Sequence, residues 1–265
     1  MAWRLSVATV STARVLFVTG KGGVGKTTVA ELLAKAAGIG GRPARLIDTC
    51  GRSDDGSDDR AVVEALITRL VGLRAVSRRM LDSRSFQALL AAIPGLVDIA
   101  RLDAIRRLSK KERVVVDGPA SGQAAAMLLA PARLERLALV GPVRRLASEL
   151  ARFVADPAKV SVVVVASPEE MAIAEARETC QDLASQQIAH RVLVNGVYPR
   201  RVDAEQEAWL VQSAVSGDAL LHLARRKRQL DAVAGLDPVP YSIPFSFSDE
   251  PLATELGREF LGGTA

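Results

Sequence analysis

The run Gly20-Lys21-Gly22-Gly23-Val24-Gly25-Lys26-Thr27-Thr28 fits the pattern G-x-x-x-x-G-K-[ST]. Its chemistry is the capture of a polyphosphate. Glycines let successive backbone N–H groups turn inward as an anion nest, and a following helix adds the positive end of its dipole. Lys26 then reaches the β- and γ-phosphates, and the Thr27 hydroxyl is placed to ligate Mg²⁺. Two acids stand at the ends of later apolar runs, Asp48 after Arg45-Leu46-Ile47 and Asp117 after Val114-Val115-Val116. An acid at such a strand end can hold the hydration shell of a Mg²⁺ ion.

The elements around these residues are the ones that would position them. Arg14–Thr19 (RVLFVT) reads as a buried strand running straight into the glycines. Lys26–Ala37 reads as a helix stopped by Gly38, Gly40 and Gly41. Further strands are expected at Arg45–Asp48, Val114–Asp117, Val160–Ala166 and Arg191–Asn195, with helical stretches between them. Mostly apolar strands alternating with helices predict a doubly wound, mostly parallel α/β sheet of the P-loop NTPase type. Ser167-Pro168-Glu169-Glu170 reads as a capping box, with Ser167 as N-cap and Pro168 at the first helical position.

The stretch from 49 to 112 is much longer than the roughly dozen residues a crossover helix needs. Its apolar residues recur at helical spacing: Val62, Val63, Leu66, Ile67 and Leu70, then Phe86, Leu89, Leu90 and Ile93. This predicts a helical insertion between the second and third strands, broken at Pro94-Gly95, within one domain spanning 1–265. The insertion would hang at the carboxyl end of the sheet, where ligands bind in open α/β folds.

Composition narrows the classes. The chain has 265 residues, 49% hydrophobic and 25% charged, with net charge +5, so intrinsic disorder is excluded as the main state. Two cysteines, Cys50 and Cys180, exclude a disulfide scaffold and suit a reducing, cytoplasmic setting. The longest apolar runs fall well short of the ~18 residues that mark a transmembrane candidate, and no signal peptide is read. His190 and His222 are isolated. The run Arg225-Arg226-Lys227-Arg228 has no interleaved aromatic residue and reads as a solvated helix face, giving no strong nucleic-acid signal.

Lys21 is unusual in such a loop, and Lys21-Gly22-Gly23-Val24-Gly25-Lys26-Thr27 resembles the deviant Walker A, or signature-lysine, motif of dimeric P-loop ATPases. Within that class, Asp117-Gly118-Pro119-Ala120-Ser121-Gly122-Gln123 followed by Pro131 resembles the second switch of ArsA-like ATPases, the arsenite-pump and tail-anchored-protein-targeting type. Pro94-Gly95-Leu96, Pro168-Glu169-Glu170-Met171, Val194-Asn195 and Ile243-Pro244-Phe245 add weaker likenesses. The resemblance implies an ATPase that binds ATP and Mg²⁺, with Thr27 and Asp117 serving the metal. It implies that Lys21 crosses a dimer interface to the partner's nucleotide, and that Gln123 lies near the γ-phosphate and orients a water. It further implies that Asn195 reads adenine, with Pro244 and Phe245 bordering the base. Asn195-Gly196-Val197-Tyr198 lacks the Asn-Lys-x-Asp of a GTPase, which favours ATP.

The pattern breaks at the first switch. Cys50 stands where the family places the acid that positions the attacking water, and Asp48 lies two residues earlier. Either Asp48 or the group Asp54, Asp55, Asp58 and Asp59 substitutes, or hydrolysis is slow. The expected function is therefore a Mg²⁺-dependent, ATP-hydrolysing dimeric switch coupled to an unknown protein client. It would be a homodimer or a heterodimer with a related subunit. Two alternatives stand beside it: a hydrolysis-poor subunit supporting an active paralogue, and a Par- or Min-type positioning ATPase.

Overall fold

The computed structural model describes residues 13–39, 41, 43–49, 59–71, 83, 95–137, 140–200, 202–213, 217–236, 240–246 and 249–256. Six parallel strands form one sheet: β1 Val15–Gly20, β2 Ala44–Asp48, β3 Arg113–Ala120, β4 Val160–Ala166, β5 His190–Val197 and β6 Tyr241–Pro244. Their order across the sheet is β2-β3-β1-β4-β5-β6. The helices between them are α1 Lys26–Ile39, α2 Asp59–Val71, α3 Leu96–Ser109, α4 Ser121–Leu137, α5 Pro142–Ala155, α6 Glu170–Ser185, α7 Ala204–Gln212, α8 Asp218–Ala234 and α9 Asp249–Glu255.

The continuous apolar strands are explained by burial on both faces. Val15 and Phe17 of β1, Val114 and Val116 of β3, and Val162 and Val164 of β4 enter one core. Leu16, Val18, Val115, Val163 and Val165 enter the other. Successive side chains of a strand point to opposite faces, so a strand covered twice must be apolar at both parities. The larger core is roofed by α2, α3, α4, α5 and α6, and the smaller by α1 and α9. The sheet is therefore doubly wound, as its sequence predicts. At the β2 edge this rule lapses: Arg45 and Leu46 are exposed.

Two readings of the sequence change. The capping box at Ser167 does not form. Helix α6 starts at Glu170, its N-cap is Glu169 in extended conformation, and no side chain caps it. β4 stays extended through Ala166, and Pro168 is buried in the connecting turn rather than sitting in the first helical turn. The other change is β6, an added strand whose register sets Ile243 against Asn195 and Pro244 against Val197. Only four residues long, it carries too little pattern to announce itself.

Of the insertion, α2 and the segment through α3 lie among the described residues. Val62, Val63, Leu66 and Ile67 of α2 pack into the larger core with Ile99, Leu102 and Ile105 of α3. Their helical spacing thus records core burial. Phe86, Leu89, Leu90, Ile93 and Pro94 lie outside the described residues. Gly95 precedes α3 in left-handed conformation at φ 75°.

Candidate functional site

β1 ends in the phosphate loop, and α1 begins at Lys26. The loop therefore joins the carboxyl end of a central strand to a helix N-terminus, as an anion nest requires. Glycine is needed at two points for different reasons. At Gly20, φ is +150°, and a Cβ would collide with the Val165 carbonyl of the neighbouring strand β4. At Gly25, φ is +87°, and a Cβ would collide with the Asn195 side-chain amide. By contrast, nothing lies within 4 Å of where a Cβ would stand at Gly22 or Gly23.

Register brings the acids to this loop. β3 lies between β1 and β2, with Asp117 opposite Val18 on one side and Asp48 on the other. Asp117 is 2% exposed. The Thr27 hydroxyl donates to Asp117 Oδ2 at 2.7 Å, so the predicted pair of metal-serving groups does converge. Two hard oxygen ligands beside a phosphate cradle suit Mg²⁺, which is usually held by one or two protein oxygens, substrate phosphates and water. Among the described residues no group of three or more His, Cys, Asp or Glu could hold a metal without such help.

Lys26 Nζ donates to the Lys21 carbonyl at 2.9 Å and so folds back across its own loop. The Lys21 side chain turns to α6, where Nζ lies 3.3 Å from Glu175 Oε2, both groups partly exposed. The other carboxylate oxygen, Glu175 Oε1, accepts from the Ser121 hydroxyl at 2.9 Å. One acid on α6 thus joins the phosphate loop to the first residue of α4. Sequence reasoning missed Glu175, because only the tertiary packing of α6 beside α4 brings it near Lys21.

The strand ends are fastened by further hydroxyls. Thr19 Oγ1 donates to the Pro119 carbonyl at 2.8 Å. Thr49 donates to the Asp117 carbonyl twice, from Oγ1 at 2.9 Å and from its backbone N–H at 3.1 Å. These bonds lock the segment after Asp117 to the loop strand and to the start of the 49–112 stretch. Neither threonine is marked by spacing.

Asn195 Nδ2 donates to the Val24 carbonyl at 3.0 Å. In this state the amide braces the phosphate loop from β5. Pro244 and Phe245 reach the same end of the sheet through β6, and the Phe245 N–H donates to the Val197 carbonyl at 2.8 Å. Gln123, the third residue of α4, is exposed. Thr28 lies on the first turn of α1. Cys50, Asp54, Asp55 and Asp58 lie outside the described residues. Asp59 opens α2 and holds Arg101 at 2.6 Å, a structural use.

Cys180 stands apart from this site. Burial pushes its thiol up to about 12, so the reactive thiolate is withheld at neutral pH. His190 and His222 each approach a backbone carbonyl, of Ile188 at 2.8 Å and Pro199 at 3.3 Å. Within the basic run, Arg226 is spent on the Tyr198 carbonyl at 3.2 Å. Among the described residues no helix is long and apolar enough to cross a membrane.

Comparisons with known proteins agree with this geometry. Residues 143–216 match the ArsA family, described as anion-transporting ATPases. The chain is 24% identical over 250 residues to ATPase BagA of Mycobacterium tuberculosis, covering 79% of this chain and 73% of that protein. The protein Mb3704 of Mycobacterium bovis is similar to the same extent, 24% identical with 79% and 73% covered. The family match covers α5 to α7, while the phosphate loop and Asp117 lie ahead of it. Sheet order and loop geometry are those of a P-loop α/β fold, and the similarities are to ArsA-type ATPases.

Proposed function

We propose that this protein is a Mg²⁺-dependent ATP-hydrolysing switch that works as a dimer and couples its nucleotide state to a protein client. The observation that carries the reading is the 2.7 Å contact of Thr27 with the buried Asp117 beneath the phosphate loop. It joins a helix-start hydroxyl to a strand-end acid at the end of the glycine loop.

The chain's residues divide the work. The loop from Gly20 to Thr28 holds the triphosphate through backbone N–H groups and the start of α1. Lys26 leaves the Lys21 carbonyl and turns to the β- and γ-phosphates. Thr27 and Asp117 would hold Mg²⁺, and the ion would supply positive charge against that developing on the γ-phosphate. Asp48, paired with Asp117 in the strand register, would orient the attacking water together with Gln123 of α4. Asn195 keeps its amide oxygen for the adenine amino group while its nitrogen braces Val24.

Lys21 is the switch element. In the single chain it is held by Glu175; in the dimer it would leave that carboxylate and reach the partner's γ-phosphate. Its departure also releases one neighbour of the Ser121–Glu175 pair, which passes the nucleotide state to α4. A switch ordered by γ-phosphate contacts works in this way.

ATP turnover by the purified protein with Mg²⁺, compared with an excess of chelator, tests the reading. Turnover that requires Mg²⁺ and fails in Thr27→Val supports it. Turnover indifferent to both would overturn it.

A further inference from the structure

At the amino end of the sheet, opposite the end that carries the phosphate loop, lies a cavity lined mainly by charged residues. It has a volume of about 430 Å³. Its walls come from the residues just before β1 and β4, Arg14 and Lys159, and from the ends of α3 and α5, with Arg106, Lys110, Glu149 and Arg152. Five cationic residues and one carboxylate line it, with Ser109 and Phe153.

That carboxylate is already committed. Glu149 Oε2 accepts from Arg106 Nη1 at 3.1 Å. Arg106 in turn donates through Nη2 to Asp103 Oδ1 at 3.0 Å. Asp103 is 1% exposed and is also approached by Arg69 at 2.9 Å and Arg107 at 3.4 Å. The buried acid fixes Arg106 in the wall, with its Nε buried and without an acceptor among the described residues. Lys159 is held by Asp156 at 2.8 Å. Arg14 and Lys110 have no acidic partner among the described residues, and Arg152 meets only the Ser148 carbonyl, at 3.3 Å.

Cations in the last turn of a helix are often explained by the negative end of its dipole. That accounts for Arg106 and Arg152. It does not account for Arg14 and Lys159, which precede strands, yet these converge on the same cavity. Arg106 and Lys159 are balanced by Asp103, Glu149 and Asp156. That leaves Arg14, Lys110 and Arg152 as three cations without an acidic partner among the described residues around one concave space, and these concentrate positive potential there. We propose that this cavity binds a small, multiply phosphorylated molecule, through Arg14, Lys110 and Arg152 with Arg106 as its fixed floor. The site is separate from the phosphate loop and does not depend on the reading of that loop.

Amine footprinting with inorganic tripolyphosphate as the probe tests this in the intact protein. Lys110 lines the cavity, whereas its neighbour Lys111 does not, and Lys26 reports the phosphate loop in the same sample. Tripolyphosphate should slow acylation of Lys110 about fivefold and leave Lys111 within about twofold, because a charge-assisted contact shields the amine it engages far more than an exposed neighbour outside the lining. The double variant Arg14→Ser, Arg152→Ser, both at exposed positions, should lose the Lys110 protection and keep that of Lys26. Arg152→Ser alone should lose part of it. Equal protection of Lys110 and Lys111, absence of Lys110 protection while Lys26 is shielded, or full Lys110 protection in the double variant would each overturn the proposal.

Discussion

The two ends of one sheet treat anions in opposite ways. At the carboxyl end, Gly20, Gly22, Gly23 and Gly25 offer backbone donors, and the charged groups nearby are engaged: Lys26 with the Lys21 carbonyl, Lys21 with Glu175, Thr27 with Asp117. At the amino end the backbone contributes little, and Arg14, Lys110 and Arg152 stand as side-chain charges around a cavity. A backbone cradle is fixed by the fold, and at Gly20 and Gly25 it has no room for a side chain. A ring of exposed side chains is adjustable and sensitive to salt. The difference separates a site built for one reaction geometry from one suited to recognition by charge alone.

The largest effect that would sharpen this contrast is at Asp117. Asp117→Asn should lower ATP turnover about 1,000-fold, the scale of removing one preorganised electrostatic group, while Arg152→Ser leaves turnover unchanged. A comparable loss from Arg152→Ser, read in the same steady-state assay, would erase the distinction between the ends.

Next in size is Gly20→Ala. The added Cβ would strike the Val165 carbonyl in a conformation that L side chains rarely adopt. The expected cost is about 3 kcal/mol of stability, seen in a urea melt. A wild-type midpoint would mean that the strand spacing is looser than the contact implies.

A smaller and more local effect concerns the thiols. In Cys50→Ser, alkylation of Cys180 at pH 8.5 should be at least about tenfold slower in the folded than in the denatured chain, since burial holds the thiol protonated. The rate should stay low as pH rises and increase only towards about 12. Fast alkylation at pH 8 would show that α6 opens at that point.

The smallest expected effect is at Glu175. Its partly exposed pair with Lys21 is worth little in free energy, so Glu175→Gln should shift ATP-dependent self-association by only about threefold, toward lower protein concentration. Weaker association instead would mean that Glu175 serves the dimer rather than the single chain.

How far the sequence reaches is visible in particular residues. The phosphate loop, Thr27 and Asp117 were legible because each follows from short-range rules: a glycine pattern, a strand before it, a helix after it, an acid at a strand end. The two-sided burial of β1, β3 and β4 was legible in their unbroken apolar runs. Glu175, Thr49 and Thr19 were not, because they meet the site only when α6, β2 and β1 are assembled. The resemblance assigns Asn195 to adenine, yet its nitrogen donates to the Val24 carbonyl, 171 residues away in sequence. The Ser167 cap was misread because a local signal lost to the burial of Pro168. The cations of the amino end are scattered along the sequence from Arg14 to Lys159, so no window of residues reveals their convergence.

The most direct test of the central reading is ATP turnover together with ATP-dependent dimerisation on a sizing column, for wild type and Lys21→Ala. The account predicts turnover and dimerisation in wild type, with Lys21→Ala still binding ATP but losing both. ATP hydrolysis by a chain that never self-associates, or a Lys21→Ala variant that turns over at the wild-type rate, would contradict it.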